Sequence, residues 1–213
     1  MQIAIPVFDR LTALDAIGPY EVLSRLPGAS VEFVAAAAGT VRTDSGMLGL
    51  TADRSYDDVP APDVLVFPGG FGTRALMRDE RTLEWVRGVH ESSSYTCSVC
   101  TGALVLAAAG VLDALEATTH WRSLDVLASF GATPVSRRVV EQGKVITAAG
   151  VSAGIDMALL LASRIAGDVV AQAIQLGIEY DPQPPFDSGS PAKASEQVHE
   201  LVRLAEEAEK EAA

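Results

Sequence analysis

Apolar runs of strand length alternate with amphipathic runs of helix length from one end of the chain to the other. Residues 2–8, 31–37 and 63–67 are nearly continuous apolar stretches and read as strands buried on both faces. Residues 17–26, 79–90 and 121–130 carry helical spacing. This alternation predicts a doubly wound parallel sheet covered by helices on both faces. Residues 41–51 read as a short antiparallel excursion turning at Asp44-Ser45-Gly46. Residues 117–120 read as a short strand, and residues 135–146 as a hairpin around Glu141-Gln142-Gly143-Lys144. The helix over 17–26 follows Asp15 and carries Gly18-Pro19 in its first turn, where proline is tolerated. Ser152 is placed to cap a helix over 153–165, and another helix starts at Asp168. Residues 180–191 contain Pro182, Pro184, Pro185 and Pro191 and are expected to form an ordered loop or arm. The tail 194–213 places Val198, Leu201, Val202, Ala205 and Ala208 at helical spacing with glutamates around them, the pattern of a solvated helix. The whole of 1–213 is expected to be one domain, with 182–213 as a proline-rich arm and final helix.

Composition narrows the class. The 213 residues suffice for one sizeable α/β core, and 48% apolar content is that of a globular protein. A net charge of −12 with no basic patch argues against a nucleic-acid surface. The first residues read as a core strand and lack the charged lead and cleavage site of a signal peptide. The most apolar helical run, 154–166, is interrupted by Asp156 and Arg164 and is too short and too charged to span a bilayer. Two cysteines without framework spacing suit a reducing, cytoplasmic setting.

One stretch, Tyr95-Thr96-Cys97-Ser98-Val99-Cys100-Thr101-Gly102-Ala103-Leu104-Val105-Leu106, is an apolar strand that breaks at Cys100 directly into an Ala/Leu-rich helix. Such a break is a nucleophile elbow, lifting the side chain above the sheet edge. It aims the first orphan N–H groups of the helix at the sulfur, and cysteines so placed have pKa values of roughly 3.5 to 7.5, so a thiolate is expected at neutral pH. Cys97, inside the strand, reads as a small buried hydrophobe. The Cys-x-x-Cys spacing does not make a redox pair, because strand residues three apart face opposite ways and lie roughly 10 Å apart. A structural zinc site needs further ligands, and the chain offers only His90, His120 and His199.

In a doubly wound sheet, sites form at the carboxyl ends of strands. Asp15 follows the first strand, Gly69-Gly70 follows the strand ending at Phe67, and Cys100 follows Val99. A carboxyl beside a thiolate can share or deliver a proton, and the backbone N–H groups of Gly70 and Thr101 are candidates to stabilise charge leaving the sulfur. Taken singly, Asp15 is an ordinary helix-start acid and Gly69-Gly70 an ordinary tight turn. Their convergence after three separate strands is the stronger signal.

The segments Pro68-Gly69-Gly70, Ser98-Val99-Cys100-Thr101-Gly102-Ala103 and Ala117-Thr118-Thr119-His120-Trp121 resemble the ThiJ/PfpI superfamily of the glutamine-amidotransferase-like group. Leu14-Asp15-Ala16-Ile17-Gly18-Pro19, Ala153-Gly154-Ile155-Asp156 and Glu179-Tyr180-Asp181-Pro182, with the proline-rich run after it, extend the likeness to its isonitrile hydratase branch. Protease-like and deglycase-like members place His directly after the cysteine, where this chain has Thr101, and many carry Glu where it has Asp15. The resemblance implies a three-layer, flavodoxin-like α/β sandwich and a homodimer. It also implies cofactor-free addition of water to a small isonitrile to give an N-substituted formamide, with no nucleic-acid or membrane partner. Cys100 would be the nucleophile, Asp15 its acid/base partner, and Thr101 and Gly70 the contacts beside them. His120 reads as a packed neighbour of Trp121 rather than a catalytic group. Two other readings compete: a cysteine-based oxidative-stress sensor or protective protein, and the sensory domain of an AraC-type regulator. The acidic tail, in place of a basic helix-turn-helix, speaks against the second.

Overall fold

A computed structural model describes residues 1–211, with side chains as far as Ala205. Its centre is a seven-stranded sheet in the order β10-β11-β7-β6-β1-β2-β5. These strands are β1 (Gln2–Pro6), β2 (Ser30–Ala35), β5 (Arg54–Ser55), β6 (Val64–Phe67), β7 (Tyr95–Val99), β10 (Val139–Gln142) and β11 (Val145–Ala148). All neighbours run parallel except β10, which folds back antiparallel on β11 at one edge. Every residue of β6 and β11 is buried, as expected where helices cover both faces of a parallel sheet. The apolar runs over 2–8 and 63–67 are the core strands β1 and β6, whereas the run over 31–37 is the shorter β2, half-buried over 31–33, with Ala36 and Ala37 exposed beyond its end. β3 (Gly39–Arg42) and β4 (Gly49–Ala52) form the anticipated antiparallel excursion, turning through Gly46 in the left-handed region at φ 71°.

The helices are α1 (Ala13–Leu23), α2 (Thr73–Leu76), α3 (Glu80–Ser92), α4 (Gly102–Ala108), α5 (Leu124–Ser129), α6 (Ala153–Ala166), α7 (Asp168–Gly177) and α8 (Glu196–Glu211). Asp79 caps α3, its carboxylate accepting from the Thr82 N–H at 3.2 Å. Residues 1–179 form one compact unit, and the described residues from Tyr180 onward form a second. In the second, α8 realises the periodicity of the tail, although the Ala208 side chain and residues 212–213 lie outside the described residues.

Three local expectations are corrected. Helix α1 begins at Ala13 rather than at residue 17, so Asp15 stands in its first turn and Pro19 in its interior. Asp15, Gly18 and Pro19 are poor interior helix formers, but close packing of this face overrides propensity: a Cβ on Gly18 would lie 3.0 Å from Ile155 Cγ1 of α6. Pro19 also leaves the Asp15 carbonyl without its i+4 helical donor. The strand expected over 117–120 is shorter. Only β8 (Glu116–Ala117) pairs, with β9 (Thr133–Pro134), and Trp121–Ser123 is a 3₁₀ turn before α5. Ser152 does not cap α6; its backbone is already helical and its hydroxyl accepts from Arg138 Nη2 at 3.3 Å.

Candidate active site

The strand order reverses between β1 and β6, and the carboxyl ends of β1, β6 and β7 meet there. Cys100 lies on the break between β7 and α4 with φ 54°, a left-handed conformation that costs a non-glycine residue roughly 1 to 3 kcal/mol. The surrounding backbone holds that strain. The Cys100 N–H donates to the carbonyls of Ala149 (2.7 Å) and Ala148 (3.1 Å) at the end of β11. Its carbonyl accepts from the Thr119 hydroxyl at 2.8 Å. Gly102 opens α4 because nothing larger fits: a Cβ there would sit 2.1 Å from the Phe67 carbonyl oxygen.

Asp15 is fully buried and Cys100 is 5% exposed. The Gly69 N–H donates to Asp15 Oδ2 at 2.9 Å, while Oδ1 has no hydrogen-bond partner. The Gly70 N–H donates to Thr101 Oγ1 at 2.9 Å, and the Thr73 hydroxyl lies 2.7 Å from the Gly70 carbonyl and 3.1 Å from Thr101 Oγ1. A Cβ on Gly69 would meet Thr101 N at 2.6 Å and Asp15 Oδ2 at 2.8 Å, so only glycine lets the turn pass between acid and elbow. The glycine turn after β6 thus binds the acid through one N–H and the residue after the cysteine through the next.

Burial sets the electrostatics. Desolvation is the main cause that raises the Asp15 carboxyl from 3.8 to about 7, against the Gly69 N–H and the Cys100 thiol, which pull it down. Desolvation, and then the neighbouring Asp15 charge, pushes the Cys100 thiol up. The Thr101 N–H and hydroxyl oppose this shift without overcoming it. The expectation of a standing thiolate is therefore corrected. Helix-start N–H groups favour the anion, but a sulfur this deeply buried beside a carboxyl keeps its proton. At neutral pH the two groups act as a pair that exchanges one proton, each group's charge discouraging ionisation of the other.

Asp15, Cys100, Thr101 and Gly70 are brought together by the fold. The Gly70 N–H does not face the sulfur as a charge-stabilising donor, because it is already given to Thr101; Gly70 acts here by positioning. Sequence reasoning passed over Gly69 as the donor to Asp15, Thr73 as a support of Thr101 and Thr119 as a tie on the elbow. A glycine's N–H and two threonine hydroxyls carry no sequence signal, although Thr119 belongs to the segment 117–121. Cys97 is buried in β7, and burial pushes its thiol up, as its inert reading requires. The His120 ring packs against Gly150 and lies 5.8 Å from the Trp121 ring. Among the described residues, no group of three or more His, Cys, Asp or Glu side chains could hold a metal ion.

An isonitrile hydratase of Pseudomonas putida is 44% identical over 203 residues, 95% of this chain and 89% of that protein. A ThiJ/PfpI family protein of Pseudomonas syringae superposes with a TM-score of 0.92 at 37% identity, covering 98% of this chain and 87% of that one. The HTH-type transcriptional regulator CdhR of Pseudomonas aeruginosa is 28% identical over 84% of this chain but only 52% of its own length. The DJ-1/PfpI family model matches residues 1–164, and on that match the chain belongs to the DJ-1/PfpI family.

Proposed function

We propose that this protein is an isonitrile hydratase, a hydro-lyase that adds water to a small isonitrile and releases the N-substituted formamide. The observation that carries the reading is the buried Asp15–Cys100 pair, in which the carboxyl is raised to about 7 and sits poised to exchange a proton with the sulfur near neutrality. The 44% identity to the Pseudomonas putida hydratase across 95% of the chain supports it.

Isonitrile hydration needs what this pair supplies. The Asp15 carboxylate draws the thiol proton as the Cys100 sulfur bonds to the terminal isonitrile carbon, and the same proton is delivered to that carbon. The S–H bond breaks while C–S and C–H bonds form, leaving R–N=CH–S as a thioimidate on Cys100. Asp15, again a carboxylate, takes a proton from water as the oxygen attacks the thioimidate carbon and passes it to nitrogen. Collapse of the tetrahedral carbon expels the sulfur, which recovers its proton from the new hydroxyl, and R–NH–CHO departs. One carboxyl serves both halves, and the Thr101 N–H and hydroxyl at the sulfur steady it as it gains and loses charge.

Among the described residues no helix is long and apolar enough to cross a membrane. The reading makes the enzyme a cytoplasmic homodimer, with the proline-rich arm and the final helix as the candidate contacts. The direct test is incubation of the purified protein with several aryl and alkyl isonitriles and detection of formamide. Turnover dependent on Cys100 is expected, and no product above the buffer rate across the panel overturns the reading.

A further inference from the structure

Many surface arginines are matched to carboxylates, among them Arg25 to Glu21, Arg81 to Asp57 and Arg164 to Glu141, whereas Arg42 and Arg78 enter no ion pair among the described residues. Arg10 and Arg74 enter no ion pair among the described residues, although the chain carries a net charge of −12. Both are gathered instead on the ring of Phe71, with Arg74 Cζ 4.7 Å and Arg10 Cζ 5.4 Å from its centre. Phe71 directly follows Gly70, whose N–H holds Thr101, and the Arg10 carbonyl accepts from the Gly72 N–H at 3.1 Å. The trio therefore flanks the same glycine turn that fixes Asp15 and Thr101.

Arg10 itself stands at φ 64°, in the left-handed region that Gly or Asn would adopt at lower cost. Its backbone is held there by its N–H on the Arg42 carbonyl at 2.7 Å. Both guanidiniums are exposed and lie over one ring, and two cations gathered at one place attract an anion. A guanidinium fork matches a carboxylate in shape, and Phe71 offers an apolar wall for the carbon that bears it.

We propose that Arg10 and Arg74 form a carboxylate-binding subsite beside the Asp15–Cys100 pair, selecting isonitriles whose substituent carries a carboxylate a short chain from the nitrogen. This rests on the hydratase reading for its substrate, but its test does not need turnover. N-formylglycine, the formamide such a substrate would yield, and its methyl ester are titrated calorimetrically into the wild type and into the double variant Arg10→Gln, Arg74→Gln. The wild type binds the carboxylate about tenfold or more tightly than the ester, a difference of about 1.4 kcal/mol, and the double variant loses that preference. The single variant Arg74→Gln, altered in a short exposed helix, shifts in the same direction if the double variant fails to fold. Equal affinity of the wild type for acid and ester, no binding of either, or a preference that survives the substitutions overturns the subsite. In parallel, isocyanoacetate and methyl isocyanoacetate are assayed for hydration. Turnover of the ester without a binding preference for the acid removes the subsite and leaves the hydratase reading. A binding preference without turnover of either isonitrile removes the hydratase reading and leaves an anion site.

Discussion

Replacing Asp15 by Asn tests the central claim twice, because a carboxyl kept buried for proton transfer costs stability at the pH where it works. In the unfolded chain the carboxyl has its ordinary value of 3.8, and in the folded protein it is raised to about 7. Between these values the folded protein holds a proton that the unfolded chain has released. The stability linked to this group is therefore fully present below pH 3.8 and is lost as pH rises through about 7. From pH 5 up to the folded value of about 7, each unit removes about 1.4 kcal/mol, so the wild type loses about 3 kcal/mol from this carboxyl between pH 5 and pH 8.5. An amide does not titrate. Relative to the wild type, Asp15→Asn should gain about 3 kcal/mol over that interval, which for a chain of this size is about 6 to 12 °C of melting temperature. The amide NH₂ placed where Oδ1 has no partner carries its own cost, but that cost is the same at both pH values and cancels in the comparison. Urea unfolding of both proteins at pH 5 and pH 8.5 reads the difference directly. The same variant should lose about 10²- to 10⁴-fold in hydration rate while keeping its fold, as expected for a general acid–base group. Parallel stability–pH curves for the two proteins would refute the raised carboxyl, and near-wild-type hydration by folded Asp15→Asn would remove it from the mechanism.

The two cysteines should separate cleanly: Cys100→Ala abolishes turnover, whereas Cys97→Ala, a small truncation inside β7, retains most of it at a cost of about 1 kcal/mol in stability. Equal inactivation of both, with circular dichroism unchanged, would contradict the elbow. Wild-type kcat/KM should rise with pH through about 7, because below it the Asp15–Cys100 pair holds two protons and neither group can accept one. That limb should vanish in Asp15→Asn, and a flat profile in the wild type would count against the one-proton pair. Gly69→Ala should impair hydration far more than a surface change, since the new methyl would press on Thr101 N at 2.6 Å and Asp15 Oδ2 at 2.8 Å; full activity with intact folding would show that the turn can move without consequence.

The sheet was legible because strands buried on both faces are largely apolar: β6 is continuously so and β1 is after Gln2, whereas β7 also buries Thr96 and Ser98. The start of α1 was not, because its residues have weak helix propensity and are held helical by what packs on them. The Gly18 backbone lies against Ile155 of a helix more than a hundred residues away, which no local pattern reports. The site shows the same division. Asp15, Gly70, Cys100 and Thr101 are legible as candidates because each follows a strand end, and strand ends can be read from apolar runs. The Gly69 donation to Asp15 spans 54 residues of sequence and uses a main-chain group that every residue but proline possesses. The proton state of Cys100 was the costliest misreading. The helix-start rule supplies a stabilising field for the thiolate, but the sign of the shift depends on burial, and burial is a property of the whole fold. With the sulfur 5% exposed and Asp15 fully enclosed, desolvation outweighs the donors at Thr101. That outcome favours the hydratase chemistry over a sensor's. A sensor needs a thiolate standing in solvent, where peroxide can reach it. Addition of S–H across an isonitrile carbon needs a proton that stays with the pair until the substrate arrives, and a buried acid raised to about 7 beside a protonated thiol holds it there.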